Sequence, residues 1–327
     1  MKKLLILLMA AVVLLIMGVP VWVVVRSVDN EELAGDGSSQ PEVRVLNAKT
    51  GKLMKLPVEE YLIGVVAAEM PADFESAALK AQAIAARTYA VRRMYRFGAK
   101  PGDRHTDAEL CTDPTHCQAW ESSAELKGKW GKLKYYVYIN KIKEAVRDTR
   151  GVVITYNNEL IDPVYHGSCG GKGTENSEDV WTNMVPYLRS VNCDTEYKQS
   201  EFVYQKEMSM ENLAAELGEL LAKPVTAAAQ QSPPIESVSV SSRGRLQEVR
   251  VLGQKITGTE LRMILGLSST LLKWNLDGDN IMFTSAGKGH AVGMCQYGAN
   301  GMALQGNSHE EIIGHYYTGV KLKKIAY

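Results

Sequence analysis

The chain has 327 residues, and its 37 Lys+Arg are balanced by 37 Asp+Glu, so the formal net charge is zero. That neutrality excludes the basic excess with which nucleic-acid binders displace counterions, and no nucleic-acid partner is expected. Apolar residues make up 45% of the chain, enough for a packed core in one or two domains.

Lys2 and Lys3 precede an uncharged run from Leu4 to Val25 that ends at Arg26. At about 1.5 Å per residue this run spans roughly the 30 Å of a bilayer core. A cleaved signal peptide is the alternative, but its apolar stretch is about 7–15 residues long and closes on small residues. This run is longer and closes on Val-Val-Val-Arg. The expectation is a cytoplasmic tail over 1–3, a transmembrane helix over 4–25 and a flexible stalk over 26–41, with 42–327 outside the cytoplasm.

Beyond the stalk, Glu42–Leu46 and Lys52–Leu56 alternate around Lys49-Thr50-Gly51 and predict a hairpin. Pro57-Val58-Glu59-Glu60 opens a helix that must stop before Pro71. A longer helix is predicted from about 75 to 97, where Ala77, Ala78, Ala81, Ile84, Ala85, Thr88 and Val91 keep helical spacing. Residues 98–119 read as a long loop. Val152–Tyr156 and Leu160–Tyr165 flank Asn157-Asn158-Glu159 as a second hairpin, followed by a Gly-rich stretch over 167–173. Residues 200–275 read as an inserted helix and hairpin subdomain, and 281–301 as a second Gly-rich block. Asn307-Ser308 caps a last helix over 310–316, before a strand over 320–325. The fold class is α+β, with the insertion packed on the main domain.

Several residues carry chemistry. Glu69 ends an apolar helix at a forced break, in Val65-Val66-Ala67-Ala68-Glu69-Met70-Pro71. It reads either as a general acid or as a solvated helix end. Lys80 and Arg87 share one helical stripe, either orienting a site or facing solvent. His105, Cys111, His116 and Cys117 supply two imidazoles and two thiolates, the usual set for tetrahedral zinc, although a Cys111–Cys117 disulfide competes on spacing. Cys169 and Cys193 either pair or stay buried as thiols, and Cys295 reads as a small packed residue. Tyr165 and Ser168 are placed to line a groove, because Gly170 and Gly171 let the backbone approach a bulky polymer. His290 and Gln296 either bind sugar hydroxyls or belong to tight glycine packing.

Three blocks in order make the reading specific. The first is Glu59-Glu60-Tyr61-Leu62-Ile63-Gly64-Val65-Val66-Ala67-Ala68-Glu69-Met70-Pro71, with Ala78-Leu79-Lys80-Ala81-Gln82-Ala83-Ile84-Ala85-Ala86-Arg87-Thr88-Tyr89-Ala90 after it. The second is Tyr165-His166-Gly167-Ser168-Cys169-Gly170-Gly171, with Trp181 downstream. The third is Gly289-His290-Ala291-Val292-Gly293-Met294-Cys295-Gln296-Tyr297-Gly298-Ala299. Together they resemble the stage II sporulation protein D and amidase-enhancer family. The resemblance implies a lytic transglycosylase that cleaves peptidoglycan glycan strands during engulfment in sporulation. It implies a mixed helical and β-hairpin catalytic domain with a substrate groove. Glu69 then takes the place of the catalytic acid, and Lys80 and Arg87 match family positions linked to activity; with Gln82, and with Tyr165, Ser168, Gly170, Gly171, His290 and Gln296 as read above from residue type, they are the expected substrate-binding residues. It also implies a structural Zn2+ on the His105, Cys111, His116 and Cys117 loop, and stage II sporulation proteins P and M as partners. The rival functions are a non-catalytic glycan-binding amidase enhancer and a zinc-dependent peptidoglycan amidase.

Overall fold

Asn47 turns the chain first: its side-chain carbonyl accepts from the backbone N–H groups of Lys49 and Thr50, and Gly51 takes the left-handed conformation. The turn joins β1 (Glu42–Leu46) to β2 (Leu53–Pro57) in antiparallel register, with Val43 and Val45 fully buried. This is the hairpin that the alternation predicts. The computed structural model describes residues 40–327 except 101–104, 106, 182, 197–198 and 222–232. The expected transmembrane segment over 4–25 therefore lies outside the described residues, as does all of the stalk but its last residues. Among the described residues no helix is long and apolar enough to cross a membrane.

Helix α1 (Val58–Glu69) follows, with Pro57 at its N-cap and Glu59 and Glu60 in the first turn, where carboxylates meet the positive end of the helix dipole. It ends because Met70, the residue before Pro71, is forced into an extended conformation. Helix α2 (Ser76–Arg93) buries nearly its whole length from Ala78 to Val91. It stops short of the expected end near 97, because Met94 is extended and a 3-10 turn over Tyr95–Phe97 closes on left-handed Gly98.

The described chain divides into two units. The first takes the described residues up to Asp73, with Arg93–Gly151 and Ala326–Tyr327; the second takes Phe74–Arg92 and Val152–Ile325. In the first unit, β3 (Leu110–Cys111) pairs in parallel with β1, which sets Cys111 opposite Leu46. Residues 120–150, to which no element is assigned above, form the long helix α3 (Ser123–Asp148). A Ser122/Glu125 capping box opens it and Gly131 kinks it. Helix α3 buries only Leu126, Tyr135, Ile139, Ile142, Ala145 and Val146, a narrow stripe, and leaves Leu133 and Val137 exposed among its polar residues.

In the second unit, β4 (Val152–Tyr156) and β5 (Glu159–Leu160) form a hairpin where one is expected, with Asn157 and Asn158 both left-handed as a primed turn requires, but its second arm ends at Leu160 and does not run to Tyr165. The Thr88 hydroxyl of α2 donates to Ile84 O and accepts from Ile154 N–H, fixing α2 against β4. Strand β6 (Tyr165–His166) precedes the short helix α4 (Ser177–Val180). The inserted module is built from β7 (Val203–Ser209), α5 (Met210–Leu221), β8 (Ile235–Val240), β9 (Leu246–Val251), β10 (Gln254–Thr257), α6 (Gly258–Ile264), β11 (Leu271–Asp277) and β12 (Asn280–Ala286). Because β7 pairs with β12 from Val203↔Ala286 to Ser209↔Asn280, the module runs to Ala286 rather than closing at 275. Leu213, Leu217, Val249, Leu261, Ile281 and Phe283 fill its core. Next, β13 (Met294–Cys295) pairs in parallel with β6, setting Met294 opposite Tyr165 and Cys295 opposite His166. The chain closes with α7 (Gln296–Leu304), α8 (His309–Tyr316) and β14 (Lys321–Lys324), which adds antiparallel to β4. The architecture is α+β, as the element pattern predicts.

Candidate functional site

In the first unit the site grows from the end of α1. Glu69, its last residue, is partly buried, and its Oε1 accepts the Ala119 backbone N–H at 2.7 Å. The neighbouring Gln118 is buried and accepts from the Tyr61 hydroxyl of α1 at 3.4 Å. Two residues beyond Ala119, Glu121 N–H donates to Gly64 O at 3.3 Å. The segment 118–121 is thus tied to α1 at three levels, and Glu69 is oriented by its last tie.

Immediately before that segment lies the His/Cys loop. Asp113 makes a tight turn: its carbonyl accepts from His116 and Cys117 N–H, and its carboxylate accepts from Thr115 N–H and hydroxyl. The turn lets two adjacent residues, His116 and Cys117, point their donor atoms to one place. Cys111 Sγ lies 3.5 Å from His116 Nδ1, Cys117 Sγ 3.5 Å from His105 Nε2 and 3.7 Å from His116 Nδ1. One donor atom from each of the four residues falls within 4.8 Å of every other. All five cysteines are free thiols in this structure, with Cys111–Cys117 and Cys169–Cys193 both unbridged.

The second unit holds the remaining expected residues. Tyr165 and Lys80 are partly exposed. Gln82 is fully buried in α2, and its Oε1 accepts from the buried Gln296 Nε2 at 3.3 Å. Arg87 is fully buried and donates to Val152 O at 3.3 Å. These three side chains present no appreciable surface to solvent, and in this conformation they brace the packing around α2. Ser168 is buried as well, its Oγ accepting from Gly170 N–H at 3.1 Å. Gly170 is left-handed, and a Cβ there would stand 3.1 Å from the Ala286 backbone. Gly171, also left-handed, donates its N–H to Glu196 Oε2 at 2.6 Å.

His290 packs its ring 5.1 Å from that of the exposed Trp181 and 5.7 Å from that of His166, and its Nδ1 accepts from Val292 N–H at 3.1 Å. Burial, reinforced by the Arg262 cation, pushes His290 down to about 4. Burial also lowers His166, so both rings are neutral in the fold. A cleft of about 360 Å³ beside them is lined by Trp181, Glu178, Asp179, Gln247, Glu175 and Arg245, among others. Glu175 and Arg245 form a buried ion pair at 3.3 Å, with the Ser241 hydroxyl donating to Glu175 at 2.7 Å.

Sequence reasoning missed Glu196, which converges with Cys169, Cys193 and Cys295. The Cys193-Asp194-Thr195-Glu196 spacing was its one visible signal. It missed Ala119 altogether, because a backbone N–H leaves no trace in residue type.

Residues 47–156 match the family model described as Stage II sporulation protein. That stretch contains Glu69, Lys80, Gln82, Arg87 and the His/Cys loop. The chain is 37% identical over 287 residues to the Stage II sporulation protein D of Bacillus amyloliquefaciens, covering 88% of this chain and 80% of that protein. It is 36% identical over 295 residues to the Stage II sporulation protein D of Bacillus subtilis strain 168, covering 90% and 81%. It is also 27% identical over 308 residues to the Amidase enhancer of the same strain, covering 80% of this chain but 40% of that protein. With motif blocks, family match and near full-length relatives in agreement, the chain belongs to the Stage II sporulation protein D family.

Proposed function

We propose that the chain is a peptidoglycan lytic transglycosylase acting in sporulation, anchored in the membrane by 4–25 with its described residues outside the cytoplasm. The observation that carries this reading is Glu69, a partly buried carboxylate held at a helix end by the Ala119 N–H. In the reaction, protonated Glu69 gives its proton to the oxygen leaving C1 of N-acetylmuramic acid. Positive charge builds on C1, and the sugar's own 6-hydroxyl attacks it. The resulting carboxylate then takes that hydroxyl's proton. Glu69 is regenerated, no water is consumed, and the new end is a 1,6-anhydro-muramyl ring. Hydrolysis by water would ordinarily call for a second carboxylate to activate it or to attack. A single acid serving both proton transfers suits the intramolecular route. Partly exposed Lys80 and Tyr165 are proposed to contact the glycan, with Tyr165 offering a ring face to a sugar.

The His/Cys loop fits zinc on donor chemistry and on spacing. With Zn–S near 2.3 Å and Zn–N near 2.0 Å, tetrahedral geometry separates S and N by about 3.5 Å. The distances of 3.5, 3.5 and 3.7 Å among Cys111, Cys117, His105 and His116 agree with that. Four protein ligands close the coordination sphere, so the ion would supply rigidity to the loop that leads into Ala119. This also disfavours the zinc-amidase reading, which needs an open coordination position. Stage II sporulation proteins P and M are proposed as partners, with protein P removing stem peptides beforehand.

The test is Glu69→Gln, assayed for anhydro-muramyl products from stem-peptide-free glycan by mass spectrometry. General acid–base catalysis is worth about 10²–10⁴-fold, and the variant should lose at least that with its melting temperature nearly unchanged. Retention of more than about a tenth of wild-type activity corresponds to at most about 1.4 kcal/mol of barrier and would move the assignment elsewhere. Wild-type protein that binds glycan, stimulates an amidase and releases no anhydro-sugar would favour the enhancer reading instead.

A further inference from the structure

We propose that Cys169, Cys193, Cys295 and Glu196 form a second zinc site, structural in role and buried within the second unit. The inference does not rest on the glycan-cleavage reading. It starts from three thiols and a carboxylate that come from three separate segments of the chain and meet at one point. All four residues are buried, and one donor atom from each lies within 4.8 Å of every other. Cys169 Sγ is 3.1 Å from Glu196 Oε2, and Cys295 Sγ is 3.7 Å from Glu196 Oε1. A tetrahedral zinc ion with three sulfurs and one oxygen separates its ligand atoms by about 3.5–3.8 Å, so small side-chain adjustments suffice.

The backbone brings the four together by separate devices. Cys169 precedes the left-handed pair Gly170 and Gly171. Cys193 and Glu196 sit three residues apart on the connection into the inserted module. The β6–β13 register delivers Cys295, which also caps α7 by accepting from Gly298 N–H at 3.4 Å. A Cβ on Gly298 would lie 2.2 Å from Cys193 Sγ and 2.2 Å from the Tyr316 hydroxyl, so the glycine keeps room for that sulfur.

The surroundings suit a thiolate site. Gly171 N–H holds Glu196 Oε2, Gly298 N–H points at the Cys295 sulfur, and the Tyr316 hydroxyl is 3.2 Å from Cys193 Sγ. Groups of this kind orient metal ligands in known sites. Zinc would replace three thiol protons, which leave to solvent. The resulting charge, two plus against three thiolates and one carboxylate, matches that of a four-cysteine site. The buried Arg245 guanidinium, donating to Cys169 O, lies close enough to offset part of it. Two other states compete. One is a hydrogen-bonded cluster of neutral groups. The other is a disulfide between two of the cysteines, which an oxidising compartment would favour and which would strand the third. Three soft sulfurs select zinc over magnesium or calcium, and burial means that loading accompanies folding.

The experiment counts metal in the full chain, folded with zinc under reducing conditions and then dialysed. Wild type should hold about two zinc ions per chain, with about 2.5 sulfur neighbours per zinc by X-ray absorption. The Cys111→Ser/Cys117→Ser variant, which abolishes the loop site, should keep about one. Its cobalt form should show thiolate-to-cobalt charge-transfer absorption in the near ultraviolet. Cys193→Ser in wild type should lose one ion; if it does not fold, the loop variant alone decides. A metal-free, folded loop variant would overturn the proposal. So would purified protein whose intact mass is about two daltons light, with peptide mapping placing a disulfide among Cys169, Cys193 and Cys295.

Discussion

His290 shows how burial at one residue becomes a property of the protein in solution. Its ring lies between Trp181 and His166, with Arg262 and Arg245 raising the local potential, and its pKa falls from the ordinary 6.5 to about 4. Above about pH 6.5 the ring is neutral whether the chain is folded or not, and it contributes nothing to pH dependence. Between 6.5 and 4 the unfolded chain takes up a proton that the folded site refuses, so stability falls as pH falls, and it levels off below 4. At about 1.4 kcal/mol per pKa unit, the loss is on the order of 3 kcal/mol. Asn at this position can still accept from Val292 N–H but does not titrate. Urea melts at pH 7 and pH 4.5 should therefore show His290→Asn losing less stability on acidification than wild type. Parallel losses in both would mean that the ring is accessible to protons in the folded state. His166 shifts the same way, chiefly through its own burial and partly through His290, and remains in both proteins, so the difference is set mainly by His290.

At the scale of elements, α1 and the segment 118–121 behave as one part, and Gly64 is the contact that permits it. A Cβ on Gly64 would stand 2.2 Å from Trp120 Nε1 and 2.9 Å from Glu121 O. Ala is favoured over Gly inside a helix by about 1 kcal/mol, but overpacking a tight contact costs about 1–3 kcal/mol. Here backbone is among the atoms met, so the overpacking cost wins. Gly64→Ala should lower stability by about 1–2 kcal/mol and push 119–121 outward, taking the Ala119 N–H away from Glu69. Thermal melts and glycan turnover should fall together. Gly128→Ala in α3 is the control, because nothing lies within 4 Å of its Cβ position and the propensity gain should raise stability slightly. The elements themselves differ in how clearly the sequence announces them. The hairpins at Gly51 and Asn157-Asn158 and the stop of α1 before Pro71 follow from local backbone chemistry. Helix α3 is weakly announced because its buried stripe is narrow and its surface is rich in Lys and Tyr. The His/Cys loop was legible as residue types but not as geometry, since the Asp113 turn that aims His116 and Cys117 depends on backbone acceptors.

At the scale of the whole second unit, the inserted module has its own apolar core yet reaches out of it with a buried charged side chain, Arg245. Arg245 ends the turn between β8 and β9, and from there its guanidinium pairs with Glu175 and donates to Cys169 O, both in the stretch around the central motif. Nothing in the local sequence marks this pair, because its members are 70 positions apart and each looks like an ordinary surface charge. Both are buried, at 0% and 2% side-chain exposure, so desolvation opposes ionisation of each. Their mutual attraction, with the Ser241 hydroxyl donating to Glu175, offsets that cost. Removing one partner leaves the other charge buried and uncompensated, a loss of about 3–5 kcal/mol, whereas replacing both with apolar groups of similar volume is often near neutral. The prediction is therefore non-additive. Glu175→Gln and Arg245→Met should each lower the midpoint of denaturant unfolding severely. The double variant should recover most of that loss, giving a coupling energy of more than about 2 kcal/mol. Arg245 also donates to Cys169 O, so the double variant should not recover completely, and zinc retention measured alongside the melts would locate the remainder. Additive losses would show that the pair is solvated and that the module is held by its other contacts.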